Sequence, residues 1–154
     1  MKKNLILIIL FIFLSSCGYT ALYKGGSIQD LRIVIINMEG DMGINNLIRT
    51  KLKPYSEKES LNIYKVNINS EYNKLILSKD STGKAIDLQL SLKTNFTVNY
   101  NNKTKIFILE EQINIKNESN SFEQKKYENV IRNNFASSIK EKLILKLVTI
   151  PSID

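Results

Sequence analysis

Hydrophobic and polar residues alternate most regularly between positions 86 and 98. Ile86, Leu88, Leu90, Leu92, Phe96 and Val98 fall in one phase, and Asp87, Gln89, Ser91, Lys93, Asn95 and Thr97 in the other. Side chains on a strand point alternately to opposite faces, so this period of two predicts a long strand, apolar on one side and wet on the other. Asn101-Asn102 follows, and asparagine tolerates the left-handed backbone of a tight hairpin. With those two residues as the loop, Phe96 faces Phe107, Leu90 faces Ile113 and Leu88 faces Ile115. Turn and alternation therefore agree on one register; the exception is Leu92 opposite Glu111.

Upstream, "LRIVIINMEG" carries a β-branched apolar run, Ile33 to Ile36, and reads as a buried strand. In the next stretch Ile44, Leu47, Ile48 and Leu52 share one helical face, with Asp41 placed to cap the start and Pro54 to end the element. Residues 61–79 read as extended. Tyr64, Val66 and Ile68 alternate in one phase and Leu75 and Leu77 in the other, which predicts a bulge or break between Asn69 and Asn73. "KDSTGK" is a turn in which Gly83 can take positive φ. A long helix closes the chain. Ser121 and Gln124 fit a capping box, and Tyr127, Ile131, Phe135, Ile139, Leu143 and Leu147 recur every four residues as a packing stripe. Glu128 and Arg132 have the spacing of an ion pair, and Pro151 follows the end. The order β-α-β-β-β-α predicts an α+β domain: a four-stranded, mostly antiparallel sheet with two α-helices packed on one face.

The N-terminus follows a different logic. Lys2 and Lys3 precede an unbroken apolar run from Leu5 to Leu14, and the small residues Ser15 and Ser16 close it. Ten apolar residues are too short for a membrane span, which needs roughly 20, so an export signal is the expected reading over a retained anchor. The expected organisation is a signal peptide over 1–16, a tether over 17–30 with Gly18, Gly25 and Gly26, and one domain over 31–150. Cys17 is the sole cysteine and cannot form an internal disulfide. Leu14-Ser15-Ser16-Cys17 resembles the bacterial lipobox. That resemblance implies a thiol carrying diacylglycerol, a signal cut ahead of it and an acylated new amine. Two or more chains would hold the domain on a membrane, each buried methylene contributing about 0.8 kcal/mol. Gly18, where an aspartate would signal retention in the inner membrane, implies the outer one.

Charge and composition narrow the chemistry. The net charge is +7, and loss of Lys2 and Lys3 with a signal lowers it by two. A basic surface of this size is either ordinary solvated lysine or a match to an anionic partner such as lipid headgroups. The chain has no histidine, which removes Ser-His and Cys-His nucleophiles and the common zinc sites. No glycine-rich phosphate loop is present. Glu110 and Glu111 are adjacent on a strand and point to opposite faces, unlike a catalytic pair. No enzyme, cofactor, metal or nucleic-acid partner is expected.

Together these features resemble the LptE family of lipopolysaccharide-assembly lipoproteins. The points of match are Cys17-Gly18-Tyr19 after the lipobox, the strand from Leu31 to Asn37 with its helix from Ile44 to Leu52, "AIDLQLSLKTNFTV", and the terminal helix "YENVIRNNFASSIKEKLILKL" with its small-residue stretch Ala136-Ser137-Ser138. The match spans nearly the whole chain as order and pattern. It implies a plug inside a large outer-membrane β-barrel, LptD, the pair inserting lipopolysaccharide into the outer leaflet while the plug helps the barrel fold. The implied position is lipid-anchored at the outer membrane, facing the periplasm or inside the lumen. Lys79 and Lys84, flanking the turn, and Lys116, at the same end of the sheet, are candidate contacts to glycolipid phosphate, against the plainer reading of a solvated turn. A general scaffold lipoprotein for envelope or barrel assembly, or a lipid-binding module acting alone, would carry the same signal and fold.

Overall fold

The structure, a computed structural model, describes residues 31–150. The expectations for the signal peptide, Cys17 and the tether lie outside the described residues. Within them the elements run β1 (Arg32–Gly40), α1 (Met42–Ser56), β2 (Ile63–Lys79), β3 (Ala85–Tyr100), β4 (Lys103–Lys116) and α2 (Ser121–Val148). The strands form one sheet in the order β1-β2-β3-β4, with β1 parallel to β2 and the other pairs antiparallel. The α+β architecture expected from the sequence is the one found.

The β3–β4 hairpin follows the alternation residue for residue. Phe96 pairs with Phe107, Leu90 with Ile113, Leu88 with Ile115 and Leu92 with Glu111. Asn101 and Asn102 both take left-handed φ, +48° and +58°, the geometry whose twist matches that of the strands it joins. Gly83 takes φ +88° in the preceding turn.

β2 departs from expectation. No bulge falls between Asn69 and Asn73; pairing with β3 is unbroken from Lys65 to Ile76, and the irregularity comes later, around Leu77. Tyr64, Val66, Ile68 and Ser70 keep one phase into the core, while Leu75 and Leu77 stand exposed. The two apolar sets need no reconciling, because β1 stops at Gly40 opposite Ser70 and the far half of β2 has no strand on that side. β1 also corrects the sequence reading: a bulge between Ile35 and Asn37 turns Ile36 out to solvent, so only part of the apolar run is buried.

α1 begins as expected, with the Asp41 carboxylate accepting the Ile44 N–H at 2.9 Å. It continues past Pro54 to Ser56. A proline in the last turn costs only one intrahelical bond there, and Leu52 and Tyr55 hold that turn on the core. The cap of α2 is Asn120 rather than Ser121: its Oδ1 accepts the Phe122 N–H at 2.9 Å, and Gln124 reaches back to the Glu118 N–H at 2.8 Å. The stripe Ile131, Phe135, Ile139, Leu143 and Leu147 is buried, together with Ala136 and Ile144, whereas Tyr127 at its start is half exposed. α1 lies against β1 and β2, and α2 against β4 and α1, so both helices cover the same sheet face. Between them and the sheet sit Ile33, Val66, Ile68, Leu88, Leu90, Leu92, Phe96 and Val98.

Candidate functional site

The opposite face of the sheet has no helix. Strand parity places Asn67, Asn69, Glu71 and Asn73 of β2 there, beside Thr97, Asn95, Lys93 and Ser91 of β3 and Ile106, Ile108, Glu110 and Gln112 of β4. Polar side chains pair across it: Lys93 with Glu110 at 3.2 Å, Gln89 with Asn114 at 3.1 Å, Lys116 with Asp87 at 3.1 Å. The Oδ1 atoms of Asn67 and Asn95 are enclosed and accept no hydrogen bond among the described residues. This is a broad, hydrogen-bonding surface of mixed charge, suited to contact with another polar wall. Leu75, Ile106 and Ile108 are its exposed apolar members.

At one end of the sheet the three candidate lysines come together. Lys79 closes β2 opposite Ala85, Lys84 lies in the turn, and Lys116 ends β4 opposite Asp87. The turn is organised by Asp80, whose Oδ1 accepts the Thr82 hydroxyl at 2.6 Å and the Lys84 N–H at 2.9 Å. The Thr82 hydroxyl, followed by the Lys84 N–H, holds the Asp80 carboxyl below its usual range. Asp87 accepts the Ser78 hydroxyl at 2.5 Å, and that bond first, then Lys116, lowers its pKa as well. Lys116 is thus already paired. Lys79 and Lys84 are exposed and make no ion pair among the described residues. Leu75, Ile76, Leu77 and Ile86 stand exposed around the same end.

A charged clasp that sequence spacing did not reveal ties the two helices to the sheet. The Arg132 guanidinium reaches both Asp41 oxygens at 2.8 Å and lies 4.4 Å over the Tyr72 ring. The expected Glu128–Arg132 pair gives way to this arrangement: Glu128 bonds Lys74 and accepts from Gln124 at 2.6 Å. Burial opposes ionisation of Glu128, but the bonds from Gln124 and Lys74 outweigh it and lower its pKa. Burial, reinforced by the Glu128 charge, raises the Tyr72 phenol. Asp41 and Arg132 are far apart in sequence, and only the tertiary fold brings them together.

Glu111, the misfit in the hairpin pattern, has a similar explanation. Its carboxylate accepts the Ser138 hydroxyl and pairs with Lys142 at 2.7 Å, so it faces polar residues of α2 rather than the apolar core. A carboxylate in the inward phase of a strand was the available signal of a polar partner on the covering helix.

Among the described residues no group of His, Cys, Asp and Glu could hold a metal ion, and no helix is long and apolar enough to cross a membrane. A groove of about 660 Å³ runs between β1 and α1, lined by Arg32, Val34, Arg49 and Lys53 among others.

No protein-family model matches the chain, and no curated protein matches it by sequence. Solved structures do share its fold. The rare lipoprotein B of Shewanella oneidensis superposes with a TM-score of 0.54 at 14% identity, over 74% of this chain and 96% of that one. The minor lipoprotein of Acinetobacter baumannii superposes with a TM-score of 0.54 at 10% identity, over 80% of this chain and 98% of that one. The α+β fold of this chain is therefore one that bacterial lipoproteins use over almost their whole length.

Proposed function

We propose that this protein is an outer-membrane lipoprotein of the LptE type, anchored by acyl chains on Cys17, whose domain fills the lumen of a β-barrel partner, LptD. In that position it supports folding of the barrel and passage of lipopolysaccharide to the outer leaflet. The observation that carries this reading is the uncovered sheet face. Its asparagines, threonine and paired charges suit the polar interior of a large barrel. The shared fold with solved lipoproteins and the lipobox ahead of Gly18 support the anchor.

The role is binding; no bond is made or broken. Lys79 and Lys84 are the cations available for glycolipid phosphate, with Lys116 held by Asp87, and exposed Leu75 and Leu77 lie nearby for acyl chains. The test is copurification of the tagged, native chain from outer membranes. A lipopolysaccharide-exporting barrel should come with it in equal amount. Recovery of other envelope proteins without that barrel would instead support the scaffold reading.

A further inference from the structure

β1 is an edge strand with α1 beside it, so the groove between them has a backbone ladder for one wall and a helix for the other. The Arg32 N–H donates to Asn62 C=O at 3.0 Å. Arg32 therefore turns its backbone groups toward β2, and in a strand the next residue turns its own the opposite way. Ile33 and Ile35 fall in that outward phase, ahead of the bulge that ends the regular pairing. Their N–H and C=O groups meet no partner among the described residues. Ile33 and Leu52 are buried at the floor of the groove. Its rims are cationic. Strand parity puts Arg32 on the uncovered sheet face, while Arg49 and Lys53 stand exposed on α1. Glu57 is the one carboxylate lining it among the described residues, and it lies 3.5 Å from Lys53. Arg32 and Arg49 make no ion pair among the described residues, and the Arg32 Nε is enclosed with no acceptor.

We propose that this groove takes a short, acidic, extended segment of a partner protein, added to the β1 edge as a fifth strand. Backbone bonds at Ile33 and Ile35 hold such a strand, and its alternate side chains supply the specificity. Apolar side chains cover the floor at Ile33 and Leu52. Carboxylates reach Arg49 and Lys53 at one rim and Arg32 at the other. Charge selects this occupant. Cations along an edge keep neutral and basic strands away. An acidic strand turns the same cations into partners and brings the acceptor that Arg32 lacks. A second copy docked through this edge would bring Arg32 and Arg49 against their own kind. Residues 18–30 of the chain carry one lysine and one aspartate, so they offer the groove no net negative charge. The bulge after Ile35 limits the ladder, so the bound segment is short. The groove lies off the β2–β4 rows that meet the barrel wall under the proposed function. Its occupancy is compatible with a one-to-one complex there and does not depend on that reading.

The test uses the full chain in non-ionic detergent and reads the fluorescence anisotropy of labelled synthetic peptides. Glu-Val-Glu-Val-Glu-Val should bind saturably, and Lys-Val-Lys-Val-Lys-Val should not. Only one edge of an added strand pairs with β1. N-methylation of the acidic peptide at its valines, or instead at its glutamates, should therefore abolish binding in one case and spare it in the other. Arg49→Glu should raise the dissociation constant of the acidic peptide at least tenfold, about 1.4 kcal/mol or more, with circular dichroism unchanged. Lys105→Glu, the same charge change on β4, should leave it unaltered. The proposal is overturned if the acidic peptide shows no saturable binding below about 1 mM, the result expected were residues 18–30 of the chain itself to fill the groove. It is also overturned if the lysine peptide binds as well, if the two methylated forms bind alike, or if Lys105→Glu weakens binding as much as Arg49→Glu. Should Arg49→Glu fail to fold, the contrast between the methylated peptides on the unsubstituted chain decides alone.

Discussion

Gly40 shows how much a single residue can decide. It holds φ +81° where β1 turns into α1, and a Cβ there would sit 2.1 Å from the Ser70 carbonyl oxygen. Gly83 has a similar φ of +88° but open space around it. Gly83→Ala should therefore cost only the left-handed penalty, about 1–2 kcal/mol. Gly40→Ala adds a backbone collision and should cost about 3 kcal/mol or more. Urea unfolding of the two variants checks the contrast; equal losses would mean that the close approach to Ser70 is not a constraint. The clasp makes a second prediction. Glu128 has a lower pKa folded than its ordinary value, so the folded state binds fewer protons in that range. Its stabilisation is complete above the unfolded pKa of about 4.3 and is lost as pH falls through the folded value. Urea midpoints between about pH 5 and 3 should fall less steeply in Glu128→Gln than in the unsubstituted protein; an identical slope would contradict the assignment. These residue-scale features were mostly hidden in the sequence. Asp41 was legible as a cap because capping is local, but its bond to Arg132 was not, because distance along the chain carries no sign of it.

At the scale of elements, legibility followed the range of the cause. The β3–β4 register was readable because a two-residue turn and a strict alternation specify it independently. Replacing Asn101 and Asn102 together by alanine should cost about 1–2 kcal/mol for each left-handed position, read by thermal unfolding, whereas Asn102→Gly should be neutral or stabilising. The bulge expected in β2 was misplaced because only one of its two apolar sets is buried. β1 is shorter than β2, and Leu75 and Leu77 stay outside. Pro54 misled for a related reason: in the last turn a proline removes little, and packing of Leu52 and Tyr55 prevails. Glu111 belongs with α2, so Glu111→Ala should destabilise that contact by about 1–2 kcal/mol and leave the Lys142 ammonium partly unpaired. A double-mutant cycle with Lys142→Ala measures the coupling.

For the whole molecule, the sequence conveyed that one sheet face would be covered and the other left polar. It did not convey that the polar face is a continuous mixed-charge surface, because its rows are assembled from three strands whose register only the folded sheet fixes. Nor did it show that the candidate lysines converge on an end where Lys116 is already committed to Asp87. Under the proposed function this face meets a barrel wall, and acyl chains on Cys17 bring it there. Copurification of the native chain from outer membranes tests that claim most directly. A lipopolysaccharide-exporting β-barrel should be recovered bound one to one, and be released when Lys93→Glu and Asn95→Lys disturb the open face. Outer membranes that yield the intact chain with no such barrel would contradict it.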